Sequence, residues 1–460
     1  MASLALAAPA RLPPDVRALL AAERQNGARV GLYVRDLARH RPAVALDADA
    51  ALAPASTLKL VTTYAALSLL GPAYTWKTEV YTDPGVVNGV VPGNLYLKGY
   101  GDPDLTLQRI WLLIHRLRLA GVREIRGDLV LDDSDFALPP GDPGAFDGHP
   151  LRPYNVTPSA LLFNFNDTVF RFLPDAQEGR VSVQADPGGR RLRIACAMTL
   201  ASGPCGDWED GISARVGGTP EHPSVRLAGR YPLRCGPAAV NLSVLPKDDY
   251  IYQIFRELWT QSGGAIDGTV RRGAVPADAA LRLTFRSPPL ADVIRAMNKF
   301  SNNVMARQIF LTLGAAEEGA PATLEKAAQA VAGFLHGQGL DFPELVLDNG
   351  CGLSRIARIS PRHLGEVLAA AARSPWASEF ESSLPIVGVD GTMAHRLLGE
   401  PVAGHAHIKT GTLDGVTSIA GYVDTRRGHH VVVVCIANDA HGALGRRLED
   451  RLLEWVYENL

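Results

Sequence analysis

The sequence predicts an α/β (α+β) core built from both ends of the chain, with a β-rich insertion between them. Three observations predict it. Residues 11–75 combine strand-like runs with helical repeats. From 76 to 285, short β-like runs are broken by Gly, Pro and Asp turns. After 286 helical spacing returns, and the chain closes with three strand-like runs and an amphipathic helix. Sequential strands joined by tight turns pair antiparallel, so the C-terminal strands form a sheet that the N-terminal strands can join. The core is therefore read as 11–75 plus 286–460, and the insertion as 76–285. The insertion is divided into two subdomains, 76–170 with 240–285, and 171–239.

Each element has a local reason. Residues 15–22 read as a short helix, Arg29–Arg35 as a strand and Ala43–Leu46 as a second. After Pro54-Ala55-Ser56, the apolar residues Leu58, Val61, Tyr64, Ala65 and Leu69 recur at helical spacing until Gly71-Pro72 stops them. Ser56 thus stands at a helix start, with Lys59 one turn along on the same face. In the insertion, Gly89–Val91, Asn94–Leu97, Gly127–Asp132 and Arg180–Val183 read as strands, with Leu107–Ala120 as the one helical interlude. Helical spacing resumes at Pro289–Leu313, 322–339 and 361–373. Ala406–Thr410, Ser418–Asp424 and His429–Ala437 read as strands, and Leu444–Asn459 as the closing helix.

Bulk properties exclude several function classes. The 460 residues are 47% hydrophobic and 20% charged, enough for two or three packed domains. A net charge of −2 without a long basic run excludes nucleic acid as the main partner. No apolar stretch approaches the ~18–20 residues that span a bilayer; the longest is Val431–Ala437. Met1–Ala10 has the small-residue texture of a trimmed secretory signal but lacks a basic start and a full apolar segment; the trimmed signal is the preferred reading, with a mis-set start or an ordinary flexible terminus left open. The five cysteines lack Cys-x-x-Cys spacing and paired histidines, so no zinc is expected. One disulfide, Cys205–Cys235, is the preferred reading, with Cys435 as core.

Lysine carries the chemical signal. Only seven lysines occur, so 46 − 7 = 39 basic residues are arginine. Two lysines stand in chemically suggestive settings, Ser56-x-x-Lys59 and Lys409-Thr410-Gly411-Thr412. A buried lysine can give up its proton; arginine cannot. Acyl transfer by serine needs a nucleophile, a base within reach and donors for the oxyanion. A serine at a helix start has backbone N–H groups and the positive dipole end beside it. Ser301-Asn302-Asn303 adds a hydroxyl and an amide where a helix ends. Lys409 with Thr410 and Thr412 makes a receptor for a carboxylate, and Gly411 admits a substrate backbone. Lys299 reads as solvated, and Asp132 and Asp133 as turn residues.

The ordered set Ser56-x-x-Lys59, Ser301-x-Asn303 and Lys409-Thr410-Gly411 resembles that of penicillin-binding proteins and class A β-lactamases. Together with the large insertion, Gly99–Leu105, Gly127–Asp132, Asn349–Arg355 and Gly388–Thr392 resemble the class C low-molecular-weight penicillin-binding proteins, which are D-alanyl-D-alanine carboxypeptidase/endopeptidases. The resemblance implies a serine β-lactamase/DD-peptidase-like core, an antiparallel sheet flanked by helices. It also implies roles. Ser56 would form an acyl-enzyme, Lys59 would be the leading candidate base, and Ser301 with Lys409 would return a proton to the leaving amine. Asn303 would hold the substrate amide and pair with Lys59. Thr410 and Thr412 would bind the terminal carboxylate, and the N–H groups of Ser56 and Thr412 would form the oxyanion hole. Peptidoglycan stem peptides would be the substrates and β-lactam antibiotics covalent inhibitors, with no cofactor or metal, in the periplasm. A homo-oligomer stays open, as does a β-lactamase, esterase or D-amino-acid amidase on the same scaffold. Two departures stand out. Cys351 occupies a position where relatives often carry serine. The acidic residue that some relatives place after a Trp-Asn pair is matched only loosely by Asp147. Arg355 and Asp414 are the candidates to contact the stem peptide instead.

Overall fold

The structure is a computed structural model that describes residues 12–189, 191–439 and 441–460; the signal-like Met1–Ala10 lies outside the described residues. The chain divides into two compact units, Met1–Tyr74 with Pro289–Leu460, and Thr75–Pro288.

The first unit is organised by a five-stranded antiparallel sheet. Its strand order is Ala406–Leu413, Val416–Asp424, His430–Asn438, Arg29–Asp36 and Val44–Leu46. The N- and C-terminal strands are direct neighbours, with Arg29 opposite Asn438 and Asp36 opposite Val431. Every residue from Val431 to Asn438 is buried. Successive side chains of a strand point to opposite faces, so this unbroken apolar run requires cover on both. One face packs Val431, Val433 and Cys435 with Val16 and Leu20 of the helix Pro14–Gln25 and Leu448, Leu452 and Val456 of the helix Gly442–Asn459. The helix Pro361–Ala371 covers the other face. Each Val or Leu buried in this way contributes roughly 1.5–3 kcal/mol. Beyond it lies the helix Lys59–Leu69, buried at every position from Lys59 to Leu67 and packed on Asn303–Glu318 and Leu324–Gly337. A helix that is buried all round sits inside its domain, and this one carries Lys59.

The second unit contains four sheets. Two use only strands between residues 168 and 242, and two only strands outside that stretch. One apolar cluster runs through both parts, joining Val80, Leu97 and Leu131 to Phe170, Tyr231 and Trp259. Cys205 and Cys235 are disulfide-bonded, with Cα atoms 5.0 Å apart. Closing a loop of this length stabilises by roughly 3–4 kcal/mol. The insertion has a second helix that the sequence reading lacks, Lys247–Gln261. Its buried side is Tyr250, Ile251, Ile254, Phe255 and Trp259, which is helical spacing written in residues that favour strands.

Candidate active site

Ser56 lies in a 3-10 turn, Ala55–Leu58, that runs into the helix Lys59–Leu69. Thr57 Oγ1 and Ser418 Oγ both donate to the Pro54 carbonyl at 2.7 Å, anchoring the turn. Asn438, at the end of its strand, brackets Ala53 by accepting from its N–H at 2.8 Å and donating to its carbonyl at 3.0 Å. Ala55 is held at φ 48°, a conformation that non-glycine residues adopt only under constraint.

Lys59 is wholly buried one turn along. Its Nζ has three neighbours: Ser56 Oγ at 2.9 Å, Asn303 Oδ1 at 2.7 Å and the Cys351 carbonyl at 2.8 Å. Two of these can only accept, because Asn303 Oδ1 and a carbonyl oxygen have no proton to give. A neutral amine satisfies both with its two N–H bonds and turns its lone pair to the Ser56 hydroxyl. Burial pushes Lys59 down to about 8, with the Arg307 charge acting in the same direction.

Asn303 opens the helix Asn303–Glu318, whose N-cap Asn302 accepts from the Met305 N–H at 3.0 Å. Ser301 follows the helix Leu290–Phe300 in a left-handed conformation, φ 56° and ψ 35°. Lys409 is fully buried on the edge strand Ala406–Leu413 and donates to Ser301 Oγ at 2.7 Å and to the Thr410 carbonyl at 2.6 Å. Burial and the nearby Lys59 charge hold Lys409 well below an ordinary lysine. Gly411 of the same strand packs directly on the nucleophile turn: a Cβ there would lie 2.9 Å from the Ser56 amide nitrogen. The structure thus gathers Ser56, Lys59, Asn303, Ser301 and Lys409 into two linked clusters, with Gly411 against the first.

Thr410 Oγ1 meets Thr392 Oγ1 at 2.9 Å, and Thr412 is exposed. Arg355 and Asp414 lie side by side, with the Arg355 guanidinium donating to the Asp414 carbonyl at 3.3 Å. They line a cavity of about 190 Å³ with Arg29, Arg358 and Asp439. Asp147 accepts from Tyr154, Asn155 and the His149 amide within its own loop. A cavity of about 640 Å³ is lined wholly by insertion residues such as Phe136, Pro139 and Lys247 and holds none of these groups.

At Lys299 a further sequence expectation is overturned. Lys299 is 5% exposed rather than solvated, paired with Asp390 and bonded to the Leu384 carbonyl. Both partners come from a distant loop. Sequence reasoning also missed the Cys351 carbonyl, which needs no particular side chain, and Thr392, although Gly388–Thr392 was noticed as a motif.

The chain is similar to known proteins along most of its length. A D-alanyl-D-alanine carboxypeptidase of Actinomadura sp. (strain R39) is 30% identical over 453 residues, covering 94% of this chain and 81% of that relative. The crystal structure of penicillin binding protein 4 from Haemophilus influenzae superposes with a TM-score of 0.81 at 25% identity, covering 97% of this chain and 100% of that one. The same protein complexed with a β-lactam shares the fold, with a TM-score of 0.78 at 24% identity over 97% of this chain and 100% of that one. The D-Ala-D-Ala carboxypeptidase 3 (S13) family matches residues 12–458, and the chain therefore belongs to that family.

Proposed function

We propose that this protein is a serine-type D-alanyl-D-alanine carboxypeptidase/endopeptidase that works through an acyl-serine and is blocked by β-lactams. The observation that carries the reading is the Lys59 amine, buried, lowered to about 8 and 2.9 Å from Ser56 Oγ. Ser56 Oγ attacks the carbonyl between two D-alanines while Lys59 takes its proton. The oxyanion is held by the N–H groups of Ser56 and Thr412, whose strand runs against the nucleophile turn through Gly411. Thr410 and Thr412 bind the terminal carboxylate. That negative charge raises Lys409 towards its protonated form and leaves Lys59 as the neutral member of the pair. The C–N bond breaks as Ser301 passes a proton to the leaving amine, with Lys409 resupplying it. Water then hydrolyses the ester. A β-lactam presents a strained amide and a carboxylate to the same groups, but its leaving amine stays tethered, so the acyl-serine persists.

Peptidoglycan lies outside the cytoplasmic membrane, so the reading implies an exported, periplasmic enzyme. No helix among the described residues is long and apolar enough to cross a membrane. Mass spectrometry after penicillin treatment tests the chemistry. A single covalent adduct on the peptide carrying Ser56, absent from Ser56→Ala, is expected; an adduct that persists in Ser56→Ala sinks the assignment. Fast turnover of a chromogenic cephalosporin would instead favour a β-lactamase.

Arg355 and Asp414 are assigned to the stem peptide because together they offer a cation and a carboxylate in one small cavity. Arg355→Ala and Asp414→Ala are expected to lower kcat/KM on stem-peptide fragments by about 10-fold, in line with one lost charge-assisted bond, and on a minimal D-Ala-D-Ala substrate by much less. Equal losses on both substrates would remove them from the binding site.

A further inference from the structure

The last turn of the helix Leu290–Phe300 makes bonds that the mechanism so far leaves unused. Asn298 Nδ2 donates to Thr63 Oγ1 at 3.0 Å and to Ser383 Oγ at 2.9 Å. Thr63 Oγ1 in turn donates to the Lys59 carbonyl at 2.7 Å. Lys299 Nζ donates to the Leu384 carbonyl at 2.6 Å and lies 2.9 and 2.7 Å from the two oxygens of Asp390. Asp390 Oδ1 also accepts from the Ile386 amide at 2.8 Å. The loop so gripped pairs with the edge strand, Val387 N–H to Ala406 O at 2.9 Å and Ile408 N–H to Pro385 O at 2.7 Å. It then delivers Thr392 to Thr410. Gly391 lies directly on the Lys299 backbone, where a Cβ would be 2.5 Å from the carbonyl oxygen.

We propose that the Lys299–Asp390 pair is a positioning device that fixes Ser301 and Thr410 relative to each other; this rests on the acyl-serine reading above. Ser301 is two residues beyond Lys299 and sits in a left-handed conformation that its surroundings must maintain. Thr410 is reached from Asp390 through Thr392, two residues on. One ion pair therefore ties together the proton-returning hydroxyl and the carboxylate receptor, the two groups that must meet opposite ends of the departing D-alanine. Lys299 is buried and Asp390 partly exposed, so removing the carboxylate leaves a buried charge without its partner, which is costly. Neither residue touches the scissile bond, so both act through Ser301 and Thr410.

The test uses the full chain with Lys299→Met, Asp390→Asn and the double variant. Each is assayed on a D-Ala-D-Ala peptide and on a matched thioester, whose sulfur leaves without needing a proton. Misplacement by about 1 Å can cost 10²-fold in rate. Each single variant is accordingly expected to lose about 100-fold in kcat/KM on the peptide and under about 10-fold on the thioester, and the double variant to be no worse than the worse single one. Asp390→Asn is isosteric and decides the matter if Lys299→Met does not fold. Equal losses on the two substrates, or losses that multiply in the double variant, overturn the proposal. A wild-type chain that reacts with neither substrate overturns the acyl-serine reading and this inference with it.

Discussion

A Lys59→Arg enzyme is expected to lose acylation of Ser56 by about 10³–10⁴-fold, the usual weight of a general base. The site is built for an amine that can be neutral. Asn303 Oδ1 and the Cys351 carbonyl take two N–H bonds and leave the third direction of Nζ to Ser56. A guanidinium is planar, longer and permanently charged, so it has no lone pair to offer and no space in a fully buried position. Lys409→Arg is expected to keep only partial activity: arginine preserves the charge that faces the substrate carboxylate, but it cannot resupply the Ser301 proton and must be accommodated in an equally buried position. The pH profile supplies an independent check. Lys59 is lowered to about 8, so its base form fills as pH rises through that value. Acylation by penicillin should climb on the alkaline side with a midpoint near 8 and then level off. A flat profile from about pH 6 to 9, or equal tolerance of arginine at both positions, would undo this division of labour.

Gly352→Ala should damage the site with comparable force by a purely steric route. Gly352 has φ +82°, and a Cβ there would lie 1.9 Å from the Ala55 carbonyl oxygen and 3.2 Å from the Ser56 amide nitrogen. The nucleophile turn cannot retreat, because Thr57 and Ser418 already hold the Pro54 carbonyl and Ala55 is itself at φ 48°. The preceding residue, Cys351, carries the carbonyl that orients Lys59. The substitution should cost about 2–4 kcal/mol in thermal denaturation and slow acylation by about 10²-fold. Gly428→Ala is the control. It has φ +81° with nothing within 4 Å of the added methyl, so only the left-handed penalty of about 1–2 kcal/mol applies and acylation should be unchanged. If both variants acylate normally, the contact between Gly352 and Ala55 has no bearing on the chemistry.

What was legible in the sequence follows from how locally each feature is written. The strand Val431–Ala437 and the helix after Ser56 carry their burial in consecutive residues, so apolar periodicity suffices. Ser56 and Lys59 are one turn apart, and their relation needs only helix geometry. The helix Lys247–Gln261 was hidden because Tyr, Ile, Phe and Trp on its buried side favour strands by composition even where their spacing is helical. Lys299 was misjudged because its partner, Asp390, lies 390 − 299 = 91 residues away, and no local pattern encodes that approach. The Cys351 carbonyl was invisible for another reason: a backbone acceptor leaves no mark on side-chain identity.

The pairing of the first strand with the last has a consequence for timing. Arg29–Asp36 can pair at once with Val44–Leu46 but lacks its other neighbour until His430–Asn438 has been made, and contacts this distant in sequence form slowly. The insertion is continuous in sequence, so all of it leaves the ribosome before the core sheet can close. Asn438, the residue that brackets Ala53 ahead of the nucleophile turn, is among the last to arrive. During synthesis, the serine is thus present long before the scaffold that makes it reactive. The order of translation leaves the site unassembled until the strand carrying Asn438 has been made.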